Sequence, residues 1–327
     1  FATLTAPGNR MDVVIDSVRS DNGSGLDDLP EEQWEAPDLA IETWRGQNRV
    51  TSQDSFGNLE VTPPVTVDGV EYPFGRVYWG LLNERWGIAP DLADLFTDQG
   101  IQDPFTVSVD FVCVGHVDEF SSWVPDPDAA QGFRLLISDT PSAFAFLETL
   151  DPDTYLPRYA ADHGYATVGE ILDDANLRAL NEEIQEDYLE PNLEIFMAEA
   201  GLTEDDVIRI PGIFEEYPGC GGTTLALIPG TINMEVYQPE GSDETILILP
   251  DPFLRTDSND QSSDPFIEHI ESLLPDNLES WWVDDWDSYH LWMGEVHCGS
   301  NTKRTPVADW WTDAAHLLDV SLDLGGE

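Results

Sequence analysis

Phe105-Thr106-Val107-Ser108-Val109-Asp110-Phe111-Val112-Cys113-Val114-Gly115-His116-Val117-Asp118 anchors the reading of this chain. Phe105, Val107, Val109, Phe111 and Cys113 alternate with polar or smaller residues, the period-two pattern of a strand with one buried face. In that strand Cys113 is expected to be buried and inert. The strand delivers His116 and Asp118 to its C-terminal end. Only Val117 separates them, so in an extended segment both side chains project to one face. A lone histidine is ordinarily a satisfied structural residue. A His-x-Asp pair after a glycine at a strand end has the make-up of a proton-transfer site.

Outward from this stretch the chain alternates strand and helix signals. Met11–Asp16, Leu59–Val67 (interrupted by Pro63-Pro64), Val77–Leu82, Phe133–Ser138, Val207–Ile210, Thr223–Ile228, Ile232–Tyr237 and Thr245–Leu249 read as strands, and Glu279–Val283 leads towards the last polar segment. Pro90–Gln99, Thr140–Leu150 and Pro265–Leu274 read as helices, the second with proline at a tolerated first-turn position. Leu177, Leu180, Ile184 and Tyr188 mark the core-facing stripe of an acidic helix that Pro191 should kink or divide. Asn22–Asn48 is acidic and proline-rich with little periodicity and reads as a surface loop. Trp310-Trp311 should pack the end of the chain. Strands and helices mixed throughout give an α/β fold class.

With 41% hydrophobic residues, 11 Trp and 14 Phe among 327, the chain can bury a large core. Its charge is extreme: 65 Asp+Glu against 13 Lys+Arg, a formal net charge of −52, and Lys303 is the one lysine. Such a surface repels nucleic acid and anionic membranes, so neither is expected as a partner. Self-repulsion of this size is relieved by screening, which suggests adaptation to high ionic strength. The same charge also suits a cationic, arginine-containing partner. Cys113, Cys220 and Cys298 are odd in number and give neither a disulfide framework nor zinc-ligand spacing. No apolar run reaches transmembrane length, and no signal-peptide pattern opens the chain. A chain opening on Phe1 reads as a fragment or processed form, and leaves compartment and oligomeric state open.

A second polar cluster lies far downstream, Gly294-Glu295-Val296-His297-Cys298-Gly299-Ser300-Asn301. Cys298 is a lone thiol flanked by small residues that let a substrate approach the sulfur. A packing cysteine normally lies in an apolar run. A nucleophilic one needs a proton-transfer partner that is distant in sequence and adjacent in the fold, and His116 is the candidate. GEVHCGSN, VGHVDEF (Val114–Phe120) and SFGNLEVTPPVTV (Ser55–Val67) together resemble the protein-arginine deiminases, in the same order and at similar separations. Weaker similarity runs from Ala6 to Trp311.

The resemblance implies a circular, pseudo-fivefold α/β-propeller of ββαβ modules. Residues 1–327 would form the family's catalytic domain without its N-terminal edge or any upstream domain. It implies a hydrolase that converts peptidyl-arginine to citrulline and depends on calcium. Cys298 would be the nucleophile, His116 the general acid and base, and Asp118 a carboxylate holding the guanidinium. The family's second guanidinium carboxylate would fall ahead of Phe1. Arg19 and Val114 would line the substrate cleft. Asp16 and Ser17 would ligate one calcium, and the carbonyls of Phe56 and Leu59 with the Glu60 carboxylate a second; read alone, both clusters are turn residues. Asp21 stands where the family has a second substrate-gripping arginine, and Trp292 where it can carry another. His297, adjacent to Cys298, would point away from the site in an extended segment and is read as structural. Two other readings compete: a deiminase of free arginine or another small guanidine, favoured by Asp21 and Trp292, and an inactive calcium-responsive binding domain.

Overall fold

The computed structural model describes residues 2–6, 9–19, 28–43, 50–239, 241–242, 244–300, 302, 304, 307 and 309–318. One connectivity recurs in it four times. Two strands pair antiparallel, the chain leaves through a helical crossover, and a third strand returns parallel to the second. In the first unit Ala2–Ala6 pairs with Asn9–Asp16, the helix Leu29–Gln33 follows, and Leu39–Thr43 returns along Asn9–Asp16. In the second the elements are Leu59–Val61, Val77–Leu81, the helix Pro90–Asp98 and Phe105–Ser108. The third uses Ser121–Pro125 and Phe133–Asp139, a set of helices between Thr140 and Ala200, and Val207–Pro211. The fourth uses Glu235–Tyr237, Thr245–Pro250, the helix Pro265–Leu273 and Leu278–Val283. A parallel neighbour cannot be reached by a tight turn, so each return strand requires its crossover.

The second strand of each unit is central, and in three units it is the most apolar. Val77–Leu81, Phe133–Asp139 and Thr245–Pro250 are buried along nearly their whole length, as expected of strands covered on both faces. Two hairpins form separate two-stranded sheets, Val65–Val67 with Val70–Tyr72 and Phe214–Glu216 with Thr224–Ala226. The first turns on Asp68-Gly69, both at positive φ, the conformation a tight two-residue hairpin demands. No helix among the described residues is long and apolar enough to cross a membrane.

Three local expectations change. The strand beginning at Phe105 ends at Ser108, where Asp110 turns the chain by accepting the Asn83 N–H. Beyond it Phe111 and Cys113 exchange backbone hydrogen bonds with Thr224 instead. That pairing brings the loop of the Phe214–Ala226 hairpin beside Cys113, which is half-buried and disulfide-bonded to Cys220 with Cα atoms 5.5 Å apart. Cys113 is therefore neither a buried strand residue nor a free thiol. Within the expected loop Asn22–Asn48, the described part holds a short helix and the strand Leu39–Thr43, paired along Asn9–Asp16. Pro191 lies in the first turn of the helix Glu190–Ala200, and a five-residue π-turn, Gln185–Leu189, joins that helix to Ala175–Ile184. At the far end Trp310 and Trp311 meet edge-on, and His316 bonds the Glu71 carbonyl.

Candidate active site

The segment after Cys113 is held by short-range polar contacts. Gly115 takes φ +80°, and a Cβ there would sit 2.5 Å from the Gln53 amide nitrogen, so the turn needs glycine. His116 then starts a short 3₁₀ turn, Val117–Glu119, its N–H donated to the Glu119 carboxylate at 2.8 Å. The Ser52 hydroxyl donates to the Val114 carbonyl at 2.6 Å, and the Ser52 carbonyl lies 2.8 Å from His116 Nε2. A carbonyl only accepts, so Nε2 carries the proton and a neutral His116 presents its lone pair on Nδ1. Burial, the largest influence, pulls the His116 pKa below its ordinary value, so the ring is neutral at neutral pH.

Asp118 is buried behind His116, its Oδ1 4.0 Å from His116 Nδ1. Oδ2 accepts from His297 Nδ1 at 2.8 Å and lies 3.9 Å from the Cys298 sulfur. Oδ1 is buried and has no hydrogen-bond partner among the described residues. A buried carboxylate oxygen left without a donor is costly, which makes this atom the natural receiver of an incoming N–H group.

Cys298 arrives from the other direction. After Leu278–Val283 the chain makes a 3₁₀ turn, His290–Trp292, passes Met293 in the left-handed region, and closes a tight turn from Glu295 to Gly299. Glu295 anchors that turn from below, accepting the Gly230 N–H at 3.0 Å and lying 2.8 Å from His290 Nδ1. Its burial pushes the Glu295 pKa up to about 8. Because residues 295–299 are a turn and not an extended strand, His297 and Cys298 face the same region. His297 therefore belongs to the site, contrary to its reading as a structural residue pointing away. Desolvation lowers its pKa, but the Asp118 hydrogen bond and the Glu60 charge outweigh this and raise it to about 9. The ring is a cation at neutral pH.

Cys298 keeps exposed surface as a residue. Its sulfur, however, is crowded by the surrounding chain, and this desolvation together with the Asp118 charge pushes the thiol far above its usual range. In this arrangement the sulfur is held protonated. A further cation seated at Asp118 would offset the opposing charge and favour the thiolate.

Glu60 and Asp118 line one cavity of about 340 Å³, with Glu235, His297, Arg304 and Trp123 among its walls. Burial raises the Glu60 pKa to about 7. The other calcium candidates are oxygen donors, the right chemistry for a hard cation, but they are not gathered as a closed site. Ser17 donates its hydroxyl to the Asp54 carbonyl at 2.5 Å, the Phe56 carbonyl already accepts the Leu59 N–H, and Glu60 faces His297 at 3.6 Å. Asp16 ends the strand Asn9–Asp16. Among the described residues no three His, Cys, Asp or Glu side chains converge on a metal position. The donor types suit calcium, and in this arrangement they are not drawn together around one position. Arg19 reaches the Ser55 hydroxyl at 2.7 Å, above the turn that carries Phe56. Asp21 lies outside the described residues. Trp292 is 76% exposed, the most exposed large apolar residue described.

Sequence reasoning missed Ser52 and His297. Ser52 acts through its backbone carbonyl, which leaves no residue-type signal, whereas His297 stands beside Cys298 and would be turned away from it only in an extended segment, which this turn is not.

Comparison with known proteins gives one consistent picture. The family model described as protein-arginine deiminase matches residues 1–312. Protein-arginine deiminase type-4 of Rattus norvegicus is 35% identical over 336 residues, covering 94% of this chain and 46% of the relative. Protein-arginine deiminase type-4 and type-3 of Homo sapiens are each 33% identical over the same shares. The chain thus spans about half the length of the curated relatives it matches.

Proposed function

The chain belongs to the protein-arginine deiminase family, and from that premise we propose that it hydrolyses the guanidinium of peptidyl-arginine to give citrulline and ammonia. The observation that carries this reading is Asp118 Oδ1, a buried acceptor without a partner among the described residues, beside a histidine base and within one side chain of a cysteine sulfur. A planar cation with paired N–H donors fits that atom.

In the proposed sequence Asp118 Oδ1 accepts N–H groups of the guanidinium. The Cys298 proton passes to His116 Nδ1, and the thiolate forms a bond to the guanidinium carbon. The imidazolium returns the proton to the departing nitrogen, ammonia leaves, and an amidino-thioether remains on Cys298. His116 then takes a proton from water as its oxygen bonds to the same carbon. The C–S bond breaks, the sulfur recovers the hydroxyl proton and the ureido product departs; His116 gives the proton it took from water to the released ammonia through solvent, so that ammonium is the second product. The raised thiol pKa supports a substrate-assisted start, in which the cation itself brings the sulfur into its reactive form. Arg19 and Val114 would contact the substrate chain near the cleft.

Calcium dependence is part of the proposal and rests on the family. Asp16 and Ser17, and Phe56, Leu59 and Glu60, would supply the oxygen donors once drawn together, and no step of the chemistry above is routed through the ion. The pseudo-fivefold closure of the fold is proposed in the same way, supported by the four ββαβ units. The relatives named as protein-arginine deiminases favour a peptidyl substrate over free arginine and over an inactive binding domain.

The test is acid-quenched turnover of a benzoyl-arginine peptide at saturating calcium, followed by peptide mapping. A transient amidino adduct on Cys298, with ammonia released into solution, is expected. Turnover with Cys298 never modified would refute the covalent route, and no ammonia from any arginine donor would refute the activity.

A further inference from the structure

Asp118 and Cys298 are 180 residues apart, yet the chemistry needs the carboxylate and the sulfur fixed to within a fraction of an ångström. One residue outside both segments touches both. Asn233, 2% exposed, accepts the Cys298 N–H on Oδ1 at 3.2 Å and donates from Nδ2 to the Asp118 carbonyl at 3.2 Å. Its own carbonyl accepts the His297 N–H at 3.1 Å, and its N–H is donated to the Gly230 carbonyl at 2.8 Å. The amide orientation is fixed by its partners: a backbone N–H can only donate and a backbone carbonyl can only accept, so oxygen faces Cys298 and nitrogen faces Asp118. Three backbone segments, at Asp118, Gly230 and His297-Cys298, are thereby tied to one buried side chain and its peptide group.

We propose that Asn233 is a positioning residue that sets the distance between the nucleophile and the guanidinium-binding carboxylate. It acts on the backbones of Cys298 and Asp118 and not on the reacting atoms. This rests on the deiminase reading of the site. A second tie between the same segments, from His297 to Asp118, joins side chains only. The Asp118 carboxylate can rotate about its own bonds while keeping that contact, whereas the Asn233 bridge holds the main chains themselves. Serine is too short to span both groups. Aspartate is isosteric and could still accept from Cys298, but it would set an oxygen against the Asp118 carbonyl and a negative charge beside the thiol. Misplacement of a reacting atom by about 1 Å costs on the order of a hundredfold, so loss of the bridge should act on reaction with a cation held at Asp118 and much less on the bare sulfur.

The experiment compares two alkylating probes on the full chain at saturating calcium, with labelling of Cys298 quantified by mass spectrometry. A haloacetamidine carries a guanidinium-like cation that must sit at Asp118, while iodoacetamide is neutral and reports the thiol alone. In Asn233→Ala the haloacetamidine rate should fall at least about tenfold while the iodoacetamide rate stays within about threefold. With a peptidyl-arginine substrate the same variant should lose kcat by a similar factor with little change in KM. A folded Asn233→Ala that keeps the wild-type ratio of the two rates would overturn the proposal. If that variant does not fold, the isosteric Asn233→Asp decides: its iodoacetamide profile should move to higher pH and its ratio of rates should drop at least about tenfold, and an unchanged ratio would overturn the proposal. A wild-type chain showing no preference for the cationic probe would instead overturn the deiminase reading, and this inference with it.

Discussion

Gly57 offers a sharp test of how tightly the site is built. It lies in the 3₁₀ turn Phe56–Asn58, packed against the two residues proposed to handle protons and charge. A Cβ at this position would lie 2.8 Å from His116 Nδ1 and 2.7 Å from Asp118 Oδ2. Ordinary van der Waals contact begins near 3.4 Å, so Gly57→Ala must push both groups back by about 0.6–0.7 Å. The Gly57 backbone is not in the left-handed region, so alanine adopts it without strain and the change acts through crowding alone. Overpacking of this kind typically costs about 1–3 kcal/mol of stability, which a domain of this size should survive. A shift of roughly this size at reacting groups should cost between tenfold and a hundredfold in kcat/KM. Ammonia release from a peptidyl-arginine substrate, measured beside a thermal melt, gives both numbers. A Gly57→Ala protein that melts as expected and turns over within about threefold of wild type would refute the placement of His116 Nδ1 and Asp118 at the reacting centre.

Three other outcomes are expected. Cys113→Ser with Cys220→Ser opens a disulfide spanning 107 residues and should lower stability by about 2–4 kcal/mol; non-reducing peptide mapping that finds no Cys113–Cys220 peptide would remove the basis for this. Glu295 has a folded-state pKa of about 8 against an ordinary 4.5, so the folded chain binds the extra proton and stability should fall as pH rises from about 5 to 8; Glu295→Gln should flatten that slope by roughly 1 kcal/mol or more, read from melting temperature against pH, and an identical slope in the variant would contradict the assignment. With a net charge of −52, melting temperature should climb between low and molar sodium chloride, and a salt-independent midpoint would show that the acidic surface does not strain the folded state.

Much of the framework was legible in the sequence because burial writes itself into period and composition. Val77–Leu81, Phe133–Asp139 and Thr245–Pro250 are rich in apolar residues because each is the central strand of its unit. Leu39–Thr43 was not legible. It is short, carries Glu42, follows a proline, and becomes a strand through its pairing with Asn9–Asp16, which no local window contains. The same distinction holds in the site. His116, Asp118 and Cys298 announce themselves as reactive residue types in polar, glycine-marked segments. Whether His297 faces the site depended on the tight turn closed by Glu295 and Gly299, and a period-two argument fails wherever the chain stops being extended. The Cys113–Cys220 bond was hidden for a similar reason, since it is made possible by the ladder between Thr224 and the Phe111–Cys113 segment.

The central claim is that Cys298 hydrolyses the guanidinium of peptidyl-arginine with Asp118 as its anchor. The most direct measurement follows citrulline in a synthetic arginine peptide by mass spectrometry, together with ammonia, at saturating calcium and molar salt, for the wild type, Cys298→Ala and Asp118→Asn. Citrulline and ammonia should form in equal amounts with the wild type and fall to background in both variants. Conversion that persists in Cys298→Ala, or a wild type that leaves the peptide unchanged, would contradict the account.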